Sequence, residues 1–316
     1  MRFKTIGVLS AAALLTFTAA CSSSEPEPEV VEEEVVMEPE EIVLDVDRIV
    51  PESIDSTEAG DIYVGNVIGN EVYRVPAGTT DTELFIPAGS NGLERVLGVY
   101  VDEPHDLLWV CSTGSMPPAV ASFNLDTGDP VGRYDLVADD GAACNDIAVS
   151  SDGNVYIGET GGGGVVWMKE GDDHLEYLKK DPLLAGADGV ALLNDNTLIV
   201  NSVSQHKLIR VDLNDDGSFK DMKELNLSRE IMGPDGMRVV GPNELILAEN
   251  GGGKMDLVTI DGDNATIETM KEGLEGTPAV TATRGKGWII EGQFDLMRDE
   301  NAVPEPFILY GVPMHE

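Results

Sequence analysis

Residues Cys144 to Glu159 read CNDIAVSSDGNVYIGE, in which Asn145 and Asp146 stand in front of an apolar run, a Ser-Asp-Gly turn and a second apolar run. Two short apolar runs joined by a turn of this kind spell a β-hairpin. The hairpin is not alone. Gapless copies begin at Pro51 (PESIDSTEAGDIYVGN), Leu97 (LGVYVDEPHDLLWVCS), Ala187 (ADGVALLNDNTLIVNS), Pro234 (PDGMRVVGPNELILAE) and Thr277 (TPAVTATRGKGWIIEG). In every copy a turn leads into an apolar triplet: Ile62 to Val64, Leu108 to Val110, Val155 to Ile157, Leu198 to Val200, Leu245 to Leu247 and Trp288 to Ile290.

The copies recur about every 45 residues, close to the length of a four-stranded propeller blade. A continuous apolar triplet means that both faces of the strand are covered, as when twisted sheets stack around an axis. The segments between copies lack the sustained 3.6-residue periodicity that an α/β fold would need. The expected fold is therefore all-β, a six-bladed β-propeller over residues 42–316. The strand-like stretch EIVLDVDRIV, Glu41 to Val50, is expected to help close the ring.

In a propeller the innermost strand of each blade lines the central channel. The second position of each copy, Glu52, Gly98, Asn145, Asp188, Asp235 and Pro278, should therefore ring one mouth. Asp, Asn and Gly are ordinary turn residues and can serve local backbone groups alone. Glu52 is not a turn former, and it is in phase with the others. Three carboxylates brought this close resist joint ionisation unless a cation sits between them. Oxygen-only donors without His or Cys suit a hard divalent ion, and Ca²⁺ tolerates so irregular a set better than Mg²⁺. Glu52, Asn145, Asp188 and Asp235 are the expected metal ligands.

The chain carries 20 basic against 58 acidic residues, a formal charge of −38, which excludes nucleic acid as a partner. Its first residues, MRFKTIGVLSAAALLTFTAAC, combine basic Arg2 and Lys4 with an apolar run and small residues before Cys21. This reads as an export signal over residues 1–20, and TAAC resembles a bacterial lipobox with Thr18 in place of the usual Leu, making Cys21 the expected lipidation site. Residues 21–41, rich in Pro and Glu, read as an extended acidic tether. The absence of Asp after Cys21 resembles outer-membrane sorting, so the expected location is the cell envelope. There a monomer would face the periplasm, touching the membrane only through its anchor.

The PES opening, CND of the third copy, ADG of the fourth and GPDGM of the fifth resemble the senescence marker protein, gluconolactonase and regucalcin-like family. The resemblance covers roughly residues 50–311. It implies a six-bladed propeller whose channel holds a divalent ion, usually Ca²⁺, on a Glu of the first blade, Asn residues of the third and fourth and an Asp of the fifth. By position these are Glu52, Asn145, Asp188 and Asp235, with Asp188 departing from the commoner Asn. The implied chemistry is hydrolysis of a small-molecule lactone or related ester, with Asp235 as base or nucleophile. A non-catalytic propeller that binds a ligand or protein around a structural ion is the alternative.

The second strands end at Asn66, Ser112, Glu159, Ser202, Glu249 and Glu291, either at a substrate pocket or as solvated strand ends. Glu159 and Glu249 are the favoured pocket residues because their blades carry ring ligands. No His occupies a ring position: His105 falls in a turn, His206 in a later hairpin and His315 at the terminus. NGGGK at Asn250 and TGGGGV at Thr160 lack the spacing of a phosphate loop. DLNDDG at Asp212 begins like a calcium loop but has Lys223 where Glu is required. Cys111 and Cys144 should lie near the same mouth on neighbouring blades, as a disulfide or as two buried thiols.

Overall fold

The computed structural model describes residues 39–114, 117–136 and 141–314. The signal segment, Cys21, most of the tether and His315 lie outside the described residues. The described strands form six sheets, one per sequence repeat, and the chain is a six-bladed β-propeller. The inner strands are Pro51–Ser56, Val96–Asp102, Cys144–Val149, Ala187–Asn194, Pro234–Gly241 and Ala279–Thr283. Each pairs antiparallel with the strand that carries the apolar triplet.

The triplets are buried on both faces because each sheet packs against two neighbours. Leu108 and Val110 face blade one, whereas Trp109 faces blade three. Leu198 and Val200 likewise face blade three while Ile199 faces blade five. No triplet residue is more than 5% exposed. The six interblade cores replace the single central core of a sandwich, leaving the axis free for polar groups.

Blade six is closed by the other end of the chain. Glu41–Val43 pairs antiparallel with Ile308–Pro313, and the Gly311 amide donates to the Glu40 carbonyl at 2.8 Å. Beyond this strand Leu44, Ile49 and Val50 are buried in the core between blades six and one. Closure thus needs three strand residues plus packed coil, not one strand from Glu41 to Val50. Glu41, expected as the last tether residue, already belongs to the propeller.

The ring positions of blades one to five lie inside the inner strands rather than before them. In blades one to five the pairing register slips across the position, between Pro51 and Ser53, Val96 and Val99, Cys144 and Ile147, Ala187 and Val190, and Pro234 and Met237. A bulge leaves its extra residue unpaired and re-aims the side chain. Blade six has no bulge there, and Pro278 precedes its regular strand. Gly98 fills its ring position because a Cβ there would sit 2.0 Å from the Asn145 carbonyl oxygen.

Cys111 and Cys144 are joined by a disulfide with Cα atoms 5.2 Å apart, tying blade two to the residue before Asn145. Intact-mass measurement after alkylation without reductant should show neither thiol modified. Reduction should cost about 2–4 kcal/mol, read as a lowered urea midpoint. Alkylation of both thiols in the unreduced protein would show that no bridge forms.

Candidate metal and substrate site at the channel mouth

The bulges bring the side chains of Glu52, Asn145, Asp188 and Asp235 to one cavity of about 10 Å³, shared with Gly98 and Pro278. That is room for a single small occupant. Asn145, Asp188 and Asp235 are buried, and Glu52 is half-buried, the most exposed of the four. Asn145 Nδ2 donates to Asp188 Oδ2 at 2.7 Å and to Thr160 Oγ1 at 3.1 Å. Asn250 Nδ2 donates to Asp235 Oδ2 at 2.7 Å, and the Asn201 amide holds the Asp235 carbonyl. Asp188 Oδ1 is buried without a partner.

The electrostatics are those of carboxylates short of a cation. Burial, then the charges of Asp235 and Glu52, holds the Asp188 carboxyl well above its usual range. Burial, then Asp235 and Asp146, does the same to Glu52. Burial also pushes Asp235 up, against its hydrogen bond from Asn250. Among the described residues no three His, Cys, Asp or Glu side chains converge tightly enough to make a ready-formed metal centre. Asp188 and Asp235 instead take hydrogen bonds from the side-chain amides of Asn145 and Asn250.

Inward of the ring the channel is plugged by Arg238, only 8% exposed. Its guanidinium lies 3.0 Å from Asp55 Oδ1 and 3.1 Å from Asp146 Oδ1, and Nη2 donates to the Val99 carbonyl at 2.7 Å. One side chain from blade five therefore reaches blades one, two and three. Asp146 completes the reading of the Asn-Asp pair: Asn145 turns to the ring, and Asp146 turns to the plug while accepting from the Val190 amide at 3.2 Å. Five channel carboxylates, Glu52, Asp55, Asp146, Asp188 and Asp235, thus face a single guanidinium, and the ring is the uncompensated part.

Neither Glu159 nor Glu249 takes the expected place in a substrate pocket. Glu159 is fully buried and accepts from the Ala143 and Gly162 amides at 3.2 and 2.6 Å. Glu249 is 1% exposed and accepts from the Met232 amide and Arg229 Nη1, both at 3.0 Å. The equivalent residues also bond to the loop before their own inner strand: Asn66, Ser112 and Glu291 accept from the amides of Val50, Glu94 and Glu275, and Ser202 donates to the Ala185 carbonyl. These six are clamps, not solvated ends. The next residue along begins the turn into the third strand and faces the mouth in blades one, three and five. Thr160 and Asn250 at that position hold ring ligands, and Val67 lines the pocket above.

That outer pocket, about 380 Å³, is lined by Glu52, Val67, Leu97, Phe294, Met297 and Arg298. Glu52 is common to it and to the ring cavity. His105 is paired with Asp102 at 2.7 Å and His206 accepts from the Gly233 amide at 2.8 Å, so neither belongs to the ring. DLNDDG forms the tip of a hairpin between Lys207–Leu213 and Phe219–Glu224.

No protein-family model matches the sequence, and no curated protein matches it. Solved structures do resemble it. A gluconolactonase from Xanthomonas campestris shares 17% identity at a TM-score of 0.63, over 84% of this chain and 88% of that one. Regucalcin from Agrobacterium tumefaciens, described as a calcium-binding protein, shares 13% at a TM-score of 0.60, over 87% and 97%. Virginiamycin B lyase from Staphylococcus aureus shares 16% at a TM-score of 0.59, over 79% and 80%. Proteins of different chemistry share this architecture, and identities this low speak to fold alone. In fold, the chain is a six-bladed β-propeller like those of gluconolactonase and regucalcin.

Proposed function

We propose that the protein is a divalent-metal-dependent hydrolase of a lactone or related ester, and that the metal is calcium. The observation that carries this reading is the ring: four oxygen-bearing side chains from four blades face one small cavity, with one carboxylate oxygen left buried and unpartnered. Arg238 also borders the cavity but is taken up by Asp55 and Asp146, which leaves the three ring carboxylates without a counter-charge of their own, and the donor set fits a hard ion. Glu52, Asn145, Asp188 and Asp235 would hold it. Bound there, such an ion polarises a carbonyl and stabilises a developing oxyanion.

The chain's own groups supply the rest. Asp235, oriented by Asn250, accepts the proton of the attacking water. Asn145 is held at the ring by its hydrogen bonds to Thr160 and Asp188. Arg238 closes the channel below, so substrate enters only past Glu52. A neutral lactone reaches so acidic a mouth without charge repulsion, whereas an anion does not. The fold likeness to gluconolactonase and calcium-binding regucalcin supports the reading without deciding it.

The reading extends to location. The basic and apolar segment before Cys21 and the Cys111–Cys144 disulfide support an envelope protein, lipid-anchored at Cys21 in the outer membrane and facing the periplasm.

Calorimetry on metal-stripped protein tests the site. Ca²⁺ should bind once per chain, chelator should abolish hydrolysis of a lactone and ester panel, and calcium at a hundredfold excess over its Kd should stabilise the fold by about 2.7 kcal/mol. If no divalent ion binds, the ring is a set of turn residues and the hydrolase reading falls with it.

A further inference from the structure

The outer pocket owes its far wall to blade six, which sets Phe294, Met297 and Arg298 against Glu52, Val67 and Leu97 of blades one and two. In blades one, three, four and five the connection between the second and third strands runs over four residues: 67–70, 160–163, 203–206 and 250–253. In blade six it spans residues 291–307 and carries the short helix Asp295–Arg298. This insertion is held in place from below. Arg48 donates to the carbonyls of Ala302 at 2.7 Å and of Leu296 and Asp299 at 2.9 Å, and Leu296 is buried in the core between blades six and one. The Phe294 ring folds back over Gly292, where a Cβ would come within 2.6 Å of it.

The result is a wall beside Glu52 made of Val67, Leu97, Phe294 and Met297, whose side chains offer no hydrogen-bond donor and, beyond the weak Met297 thioether, no acceptor. The polar groups of the pocket are Glu52 next to the ring and Arg298, which is paired with Asp295 at 3.2 Å and points largely to water. A polyhydroxylated substrate entering here would lose water from its hydroxyls and find only Glu52 and Arg298 to replace it. An alkyl or aryl substituent loses nothing. The volume lies within the range of small-molecule sites, roughly 300–1,000 Å³.

Building on the hydrolase reading of the ring, we infer that the pocket is a binding site for an apolar substituent, and that the substrate is an alkyl- or aryl-substituted lactone or ester rather than a sugar lactone. Met297 and Leu97 are then specificity-determining residues. Across γ-butyrolactone, γ-hexalactone and γ-octalactone, kcat/KM should rise about fourfold per added methylene. Glucono-δ-lactone should fall below γ-octalactone by at least tenfold. Met297→Asp, at a half-exposed position that tolerates charge, should flatten the series, as should Leu97→Gln. Val303→Asp, on the exposed side of the same insertion, should leave it intact. A flat series in the unsubstituted protein, or a preference for glucono-δ-lactone, overturns the inference.

Binding of γ-octalactam, which resists hydrolysis, separates this proposal from the one it builds on. If no lactone is turned over but the lactam binds, and Met297→Asp weakens it at least tenfold where Val303→Asp does not, the hydrolase reading fails and the apolar site stands. If the lactam does not bind, or binds all three proteins alike, the apolar site is wrong whatever the activity.

Discussion

Asp235→Asn should lower lactone turnover by about 10²–10⁴-fold, the usual contribution of a positioned general base, while leaving most of the calcium-dependent stability in place. The two effects separate because an amide oxygen can still coordinate a cation and accept from Asn250 Nδ2, now 2.7 Å from the carboxylate, but cannot take a proton from water. Glu52→Gln should behave in the opposite way, weakening calcium binding more than it changes the fold, since Glu52 donates charge from the solvent-facing side of the cavity. Stopped-flow or pH-stat rates beside calcium titrations of the same preparations make the comparison. Tight calcium binding with unchanged turnover in Asp235→Asn would leave the metal site standing and remove Asp235 from the chemistry. The base would then have to be sought among the other groups at the cavity, with Glu52 the first to replace.

What the sequence reveals of this site follows from periodicity. Residues that share one offset in a repeat share one place in a propeller, so Glu52, Asn145, Asp188 and Asp235 can be picked out from the alignment of copies alone. The apolar triplets are legible for the same reason: burial on two faces removes the alternation that a one-sided strand would show. The same argument misplaced Glu159 and Glu249 by a single residue. The chain leaves the strand at the very next residue, so the mouth is served by Thr160 and Asn250 in the turns, and the two glutamates reach back to loop amides instead. Counting the bulge in each inner strand would be needed to get that step right, and a bulge leaves no composition signal in an Asn-Asp or Asp-Gly pair that a turn would not also leave.

Contacts across the axis are illegible for a different reason. Arg238 meets Asp146 and the Ile54 carbonyl at sequence separations of 92 and 184 residues. In its own copy Arg238 sits four places into an inner strand, and nothing local distinguishes it from a solvent-facing arginine. The pocket over Glu52 is hidden likewise, because residues 291–307 break the repeat, and a departure from periodicity tells that something is different without telling where it folds.

The plug carries the largest expected effect on stability. Arg238→Met should lower the unfolding free energy by about 3–5 kcal/mol, because it leaves the carboxylates of Asp55 and Asp146 buried with no counter-charge, and breaking one side of a buried pair costs more than the pair contributes. Asp146 is already held above its ordinary range by burial against the pull of Arg238, so removing the guanidinium leaves burial unopposed. Arg238→Lys should recover only part of the loss. An ammonium supplies the charge, but it lacks the planar fork that now reaches Asp55, Asp146 and the Val99 carbonyl together. Adding Asp55→Asn and Asp146→Asn to Arg238→Met should restore much of the stability, since the stranded charges go with it. Urea midpoints at neutral pH for the four proteins decide the matter. A change below about 1 kcal/mol in Arg238→Met would mean that water or a cation enters from the opposite mouth, a cavity of about 310 Å³ that Arg238 and Asp55 line, and takes over the charge. The channel would then be open to both sides, and the one-way access to the ring on which the proposed hydrolysis relies would be lost.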